Sequence, residues 1–300
     1  MSQSGDTMMR KDMTILGAAA IGGLLAASPT SKAHALGYAL TDIDVPGSQP
    51  GSTGFFGLSL NNLGQVVGSY ADSAGNEDGF IYSGGKYVTL NAPGTTSTFL
   101  ESINDFGQVV GTAFRSNGTG FNFIDTHGKF TVISDAISPL LGNAINDKDE
   151  VLGTLGFPNY GILDAHGVIS PIDTSGANGT ALVEGFNNFD QFTGEVFDST
   201  GTFGFIDTNG VFTRLDPPNA SFAYGQGIND LGQVAGAYFD SAGNGYAYID
   251  TKGHFTTIQD PNASAAMGGT APYAINDLDQ IVGDYTDAAG NFHASSRRRI

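Results

Sequence analysis

Two glutamates stand at matching places in a repeated sequence and could carry acid–base chemistry: Glu101 and Glu184. Glutamate occurs at only five positions in the whole chain, so two in one repeated position is a marked concentration. Two carboxyl groups that face one pocket could exchange protons during glycoside hydrolysis, or could hold a cation. The matching places of other repeats hold Asn143, Gln226 and Tyr273, which could complete a polar pocket.

These five residues, Glu101, Asn143, Glu184, Gln226 and Tyr273, are our predicted ligand-binding residues. An alternative stays open, in which they are solvated groups that line a channel without binding a ligand. The two glutamates lie two repeats apart, a separation that could be too large for a shared water molecule. We therefore predict no catalytic residue.

Other kinds of site find no support in the sequence. The chain has no cysteine, and no two histidines have zinc-binding spacing. Its glycine-rich segments lie between strand patterns rather than before a helix, which argues against a phosphate or dinucleotide loop. Calcium at residues 147–150 is the one metal alternative. We favour a structural turn, because residues 61–64 fill the same place with far fewer carboxylates. We predict no metal site and no cofactor.

The element that must position these residues is a repeated phrase, whose clearest copy is Ile-Asn-Asp-Phe-Gly-Gln-Val-Val-Gly at residues 103–111. The first Asn of the phrase falls at positions 61, 104, 146, 187, 229 and 276. A period near 42 residues with several short strand patterns per unit is typical of a β-propeller. The residue just before the phrase is small in every copy, as expected where inner strands converge: Ser59, Ser102, Ala144, Gly185, Gly227 and Ala274.

Each unit is predicted to form four short strands joined by tight turns. β-Branched and aromatic residues fill the strand patterns, and Gly, Asn and Asp fill the gaps between them. The phrase contains the first turn, Asn-Asp-x-Gly, in which the glycine position tolerates a positive φ. Asp149, Asp190 and Asp279 replace this glycine in three copies, and aspartate is among the few residues that adopt left-handed backbone.

The last repeat ends without a fourth strand, while a spare strand pattern at residues 38–45 precedes the first repeat. We predict that this N-terminal strand pairs with the last repeat and closes the ring, because closure buries two sheet edges. The predicted fold is all-β, a six-bladed β-propeller of four-stranded antiparallel blades. Residues 36–300 are predicted to form a single domain of six repeats, because no repeat can bury its own faces.

Each unit combines the phrase with a second turn such as Asp-Ser-Ala-Gly-Asn, an aromatic-x-aromatic strand and a Gly-x-Phe-Thr element. In this combination the chain resembles the HAF repeat of bacterial "probable extracellular repeat" proteins, over essentially its whole length after residue 35. The His-Ala pair that gives the repeat its name is kept at His293 and Ala294. The resemblance implies an exported, propeller-like repeat protein and implies no particular activity.

Charge and the first residues bear on partners and location. Lys+Arg number 12 and Asp+Glu number 30, a net charge of −18, which argues against nucleic acid and anionic membrane surfaces as partners. Arg10 and Lys11 precede an apolar run at residues 15–27, and a small-x-small pattern ends at Ala35. Residues 1–35 are therefore predicted to be a secretory signal peptide cleaved after Ala35. We predict a secreted or periplasmic monomer with no membrane insertion after cleavage.

Three functions stay open from the sequence. The first is an exported binding or scaffold module with a glycan or protein ligand. The second is an enzyme that acts on polysaccharide through Glu101 and Glu184. The third is a structural surface or matrix protein whose role is adhesion. We favour the first, because no set of residues identifies a reaction.

Overall fold

The structure is a computed structural model that describes residues 25–26, 31–34, 38–54, 57–134, 140–155 and 160–299. In this part of the chain six antiparallel sheets follow one another, and each contains the four strands of one blade. The protein is therefore an all-β, six-bladed β-propeller, and the predicted fold class is confirmed.

The first half of the ring follows three N-terminal strands. These are β1 (Leu25–Ala26), β2 (Ser31–His34) and β3 (Tyr38–Asp42). Blade 1 contains β4 (Leu58–Leu60), β5 (Val66–Ala71), β6 (Glu77–Ser83) and β7 (Lys86–Thr89). Blade 2 contains β8 (Ser97–Ile103), β9 (Gln108–Phe114), β10 (Gly120–Thr126) and β11 (Lys129–Ser134). Blade 3 contains β12 (Leu140–Ile145), β13 (Glu150–Leu155), β14 (Tyr160–Ala165) and β15 (Val168–Pro171).

The second half contains the other three blades and two short 3-10 helices, Ser175–Ala177 and Ala265–Met267. Blade 4 contains β16 (Thr180–Phe186), β17 (Gln191–Asp198), β18 (Gly201–Thr208) and β19 (Val211–Leu215). Blade 5 contains β20 (Phe222–Ile228), β21 (Gln233–Phe239), β22 (Gly245–Thr251) and β23 (His254–Ile258). Blade 6 contains β24 (Thr270–Ile275), β25 (Ile281–Thr286) and β26 (Phe292–Arg299), and the first strand of each blade lies innermost.

The fourth strand of blade 6 is β3, which pairs antiparallel with β26 in a register from Ser295 opposite Asp42 to Arg299 opposite Tyr38. Strand β2 extends this sheet beside β3, and β1 pairs with β7 of blade 1. The predicted signal peptide covers residues 1–35, and most of it, including the predicted cleavage position at Ala35, lies outside the described residues.

The segment after β3 packs between the last blade and the first. The side chains of Ile43 and Val45 are 0% and 3% exposed. They share a hydrophobic cluster with Val282 of blade 6 and with Leu58 and Phe80 of blade 1. The N-terminal segment thus contributes both strand pairing and apolar contacts at the junction where the chain's two ends meet.

The core of the protein lies between blades rather than inside any one blade. Six apolar clusters fill the six junctions of the ring, and each joins residues of consecutive blades. Val67 of blade 1, for example, packs with Leu100 and Phe123 of blade 2. Both faces of each sheet are therefore buried by neighbours, which is why four-stranded blades are stable only as a ring.

The turn in the phrase follows the predicted chemistry. The backbone is left-handed at Gly64, Gly107 and Gly232, and Asp149, Asp190 and Asp279 adopt φ values of 60°, 57° and 58° at the same place. In each copy the Asn side chain that opens the turn accepts hydrogen bonds from two backbone N–H groups of its own turn. In blade 2 these come from Phe106 at 3.1 Å and Gln108 at 3.0 Å.

Candidate ligand-binding channel

A cavity of about 500 Å³ occupies the centre of the ring and is lined by the innermost strand of every blade. Four of the predicted ligand-binding residues face it: Glu101, Glu184, Gln226 and Tyr273. The fifth, Asn143, belongs to β12, and its side chain lies outside the described residues. The small residues that precede the phrase also line the cavity, so the inner strands leave room at the axis.

An irregularity in strand pairing lies at each predicted residue. Strand pairing loses its regular register at Glu101, Glu184, Gln226 and Tyr273, and again in blade 3 across the pair that includes Asn143. A bulge inserts one unpaired residue and re-aims its side chain. The same irregularity recurs in five blades, and four of the residues at it, Glu101, Glu184, Gln226 and Tyr273, face the channel.

The last glycine of the phrase is required by this bulge. A Cβ atom placed on Gly194 would lie against the carbonyl oxygen of Leu182, two residues before Glu184. A Cβ on Gly111 would meet the carbonyl oxygen of Phe99 in the same way, two residues before Glu101. The bulge therefore depends on the glycine that faces it, and both recur in the repeat.

Replacement of this glycine tests whether the bulge requires it. We expect Gly194→Ala to lower the free energy of unfolding by about 3 kcal/mol, because the new methyl group would overlap a buried carbonyl and strain the bulge. Gly84→Ala is the matched control: its turn has a φ of 56° and no atom near the new methyl group. Only the left-handed backbone conformation opposes that substitution, and it lowers the free energy of unfolding by about 1 kcal/mol. Urea unfolding of both variants measures the difference, and equal losses would show that the bulge tolerates a side chain.

Burial of Glu101 beside the channel favours its neutral form relative to an exposed glutamate. Burial raises the pKa of Glu101 to about 7, and a hydrogen bond from the Thr112 hydroxyl opposes the rise. Asn122 donates its side-chain amide to the Thr112 oxygen at 2.8 Å, so the hydroxyl hydrogen remains available for the carboxyl group. Glu101 can therefore act as donor or acceptor near neutral pH.

A second polar cluster lies on the side of blades 4 to 6. Burial raises the pKa of Glu184 to about 7, and the nearby carboxylate of Glu195 adds to the rise. The Tyr273 hydroxyl donates to Asp284 at 2.6 Å. Burial raises the pKa of Tyr224 to about 12, with further increases from Asp284, Glu195 and Glu184. These groups interact electrostatically and form one polar side of the cavity.

The carboxyl group that acts on Glu184 is thus that of Glu195 and not that of Glu101. Thr112, Glu195 and Asp284 were missed by the sequence interpretation, although they share a signal. Each follows the last glycine of the phrase directly and lies eleven residues after its bulge residue (112 − 101, 195 − 184 and 284 − 273). A polar residue at that place inside a strand is the pattern that identifies them.

Two rings of hydrogen bonds encircle the cavity at one mouth. The first is formed by the buried Asn of the phrase, whose amide donates to the backbone oxygen of the next blade's Asn. Five such contacts run from Asn61 to Asn104, Asn104 to Asn146, Asn187 to Asn229, Asn229 to Asn276 and Asn276 to Asn61, at 2.8 to 3.0 Å. The last of these joins blade 6 directly to blade 1.

The second ring, here called the mouth ring, comprises the next residue of each phrase: Asn62, Asp105, Asp147, Asn188, Asp230 and Asp277. Each backbone N–H donates to the Oδ1 atom of the following blade at 2.7 to 2.9 Å, and the sixth bond returns to the first residue. Asn62 and Asn188 also donate their side-chain amides to the aspartates on both sides. Four carboxylates and two amides therefore surround the opening.

The carboxylates at residues 147–150 accept hydrogen bonds from neighbouring residues. Asp147 accepts from the Asp105 N–H at 2.8 Å and from the Asn188 amide at 3.0 Å, and Glu150 accepts from Asn146 at 2.7 Å. Within the described ranges, no three His, Asp or Glu side chains come close enough to hold a metal ion. The same part of the chain contains no helix that is long and apolar enough to cross a membrane.

Comparisons with known proteins add the fold and no more. No model of a known protein family matches this sequence, and no curated protein matches it. TolB from Acinetobacter baumannii is similar in structure, with a TM-score of 0.54 and 12% identity over 78% of this chain. The match covers 63% of the TolB chain, so this chain spans less than two thirds of that protein.

Two other solved structures are similar to a comparable degree. A gluconolactonase from Xanthomonas campestris has a TM-score of 0.51 and 12% identity, over 92% of this chain and 97% of its own. A prolyl endopeptidase structure has a TM-score of 0.52 and 11% identity, over 91% of this chain and 50% of its own. At these identities the likeness extends to the fold alone.

Proposed function

We propose that this chain is an exported binding module whose central channel holds a small polar ligand, the size of one or two sugar units. One observation carries the proposal: the repeats agree at their turns and glycines and differ at the bulge position, whose side chains face one cavity. A cavity of about 500 Å³ lies within the range of small-molecule sites.

The chemistry of the lining supports a ligand rich in hydroxyl groups. Glu101 and Glu184 have pKa values raised to about 7, so each can donate or accept a hydrogen bond near neutral pH. Gln226 adds an amide, and Tyr273 adds an aromatic side chain to the lining. A hydroxyl group is both donor and acceptor, and it matches such a mixed lining better than an anion does.

The proposed location rests on the sequence. The predicted signal peptide and the resemblance to the HAF repeat both support export, and fractionation of the host cell tests it. We expect the chain in the periplasm or the medium, starting at Leu36. Recovery from the cytoplasm with an intact N-terminus would contradict the proposal.

Calorimetric titration of residues 36–300 with a panel of neutral and amino mono- and disaccharides tests the ligand class. We expect at least one sugar to bind, and we expect Glu184→Leu and Gln226→Leu each to weaken binding by about tenfold, the effect of one lost hydrogen bond. Glu77→Gln on β6, outside the channel, should leave the affinity unchanged. Binding by no sugar, or equal binding by all three variants, would refute the proposed site.

A second candidate function follows from the electrostatic interaction between Glu184 and Glu195. Two carboxyl groups whose pKa values are both raised by burial could act as acid and base on a polysaccharide. Release of reducing sugar that is abolished in Glu184→Gln would favour this alternative. Binding without release of sugar would leave the binding module as the function.

A further inference from the structure

Large apolar side chains stand exposed at the mouth of the channel, and here they are called the crown. They occupy the variable third position of the Asn-Asp-x-Gly turn in five of the six blades. Their exposed fractions are 69% for Leu63, 61% for Phe106, 64% for Phe189, 57% for Leu231 and 60% for Leu278. Each directly follows a residue of the mouth ring in sequence, so the crown and the mouth ring lie at the same end of the channel.

The turn itself does not require an apolar side chain at this place. In each copy the backbone N–H of the third residue donates to the opening Asn, as in Leu63 to Asn61 at 3.1 Å and Leu231 to Asn229 at 3.1 Å. Blade 3 forms the same turn with Lys148, whose N–H donates to Asn146 at 3.0 Å. Folding therefore leaves the five exposed apolar side chains unexplained, and grouped exposed apolar residues mark interaction surfaces.

The centre of the crown is negatively charged. The mouth ring contributes Asp105, Asp147, Asp230 and Asp277 around the opening, and the described lining of the cavity contains no Lys or Arg. Lys148, the basic residue among the turns, pairs instead with Asp190 at 3.0 Å. The surface thus presents an apolar rim around an anionic centre.

We propose that the crown and the mouth ring form a docking surface for a partner protein segment that presents a Lys or Arg between apolar side chains. The basic side chain enters the mouth ring, and its apolar neighbours pack on the crown. This pairing matches charge at the centre and removes apolar surface from water at the rim. It extends beyond the proposed channel ligand, because it uses turn residues and none of the bulge residues.

Other occupants fit the charge less well. A second copy placed mouth to mouth would bring eight aspartates together (4 + 4) in a chain with a net charge of −18. An anionic lipid surface would meet the same repulsion. A basic segment of another protein is the occupant that the electrostatics of this face favour.

Selection from a phage library of random 12-residue peptides against residues 36–300 tests the proposal. We expect enrichment of peptides with Lys or Arg flanked by apolar residues, and saturable binding of the corresponding synthetic peptides. The variant Leu63→Ser/Phe106→Ser/Phe189→Ser should weaken that binding at least tenfold. A matched control is Val168→Ser/Val211→Ser, which removes apolar side chains of 68% and 66% exposure from the outer strands and should leave binding unchanged.

Three outcomes would overturn the proposal. They are the absence of enriched peptides, enrichment of peptides without a basic residue, and an equal loss of peptide binding in the crown variant and the control. Sedimentation of the free chain addresses self-association. A wild-type dimer that the crown variant abolishes would identify a second copy as the occupant. Sugar binding in the channel is measured separately, and its presence in the crown variant would show that the two sites fail or succeed independently.

Discussion

A chain that begins at Pro46 is expected to melt at least about 10 °C below a chain that begins at Leu36. The shorter chain lacks β3, the fourth strand of blade 6, and exposes the edge of β26. It also loses the side chains of Ile43 and Val45, which are 0% and 3% exposed. Burial of two such side chains alone stabilises a protein by about 3 to 6 kcal/mol.

The comparison has a matched control in a chain that begins at Tyr38. Like the chain that begins at Leu36, this chain lacks β1 and β2 and keeps β3, so we expect the two chains to melt together. Calorimetry of the three chains measures the effect, and an added peptide of residues 38–47 should restore part of the loss. A chain beginning at Pro46 that melts with the others would show that the inner contacts, such as Asn276 to Asn61, hold the ring without the N-terminal strand.

The second large effect is a loss of stability as pH rises through the acidic range. Burial raises the pKa of Glu101 and of Glu184 from 4.5 to about 7 in the folded chain. The folded state therefore binds these protons more tightly than the unfolded state does. The contribution is fully present below pH 4.5, falls as pH rises toward 7, and is absent above it. Each group accounts for about 2 to 3 kcal/mol.

Glu101→Gln/Glu184→Gln should remove most of this decline. Between pH 4.5 and pH 8 we expect its free energy of unfolding to fall by about 4 to 6 kcal/mol less than that of the wild type. Glu150→Gln is the matched control, because glutamine fills the same place in the other five repeats and can keep the hydrogen bond with Asn146. Urea titrations at several pH values provide the measurement. Parallel curves for wild type and double variant would show that both carboxyl groups are well solvated.

The fold could be predicted because the turn and strand patterns that determine it are local in the sequence and recur in every repeat. Asp149 shows why: a single turn with aspartate is ambiguous, whereas six turns at a period near 42 residues allow one interpretation. The bulge residues could also be located, since Glu101 and Glu184 occupy a place where the repeats diverge. Their partners Thr112 and Glu195 were missed, because a polar residue in a short second strand has no distinctive spacing until the bulge is known.

The mouth ring and the crown could not be read from the sequence, for different physical reasons. Asp105 and Asn188 resemble ordinary turn residues, and their contacts join blades that are some 41 to 43 residues apart in the chain. Phe106 and Leu231 occupy a place that tolerates any side chain, and only the fold shows that such places gather around one opening. Turn chemistry predicts the backbone of these residues and does not predict what their side chains meet.

The bulge separates the residues that specify the ring from the residues that can specify a ligand. Gly194 and the turn maintain the backbone at Glu184, while the side chain of Glu184 lines the cavity. Substitutions at such positions can accumulate without loss of folding, and four of these positions face one cavity. Ligand preference can therefore diverge rapidly among descendants of one ancestral gene. The same positions also suit protein engineering, because the side chains that line the cavity can be substituted one blade at a time.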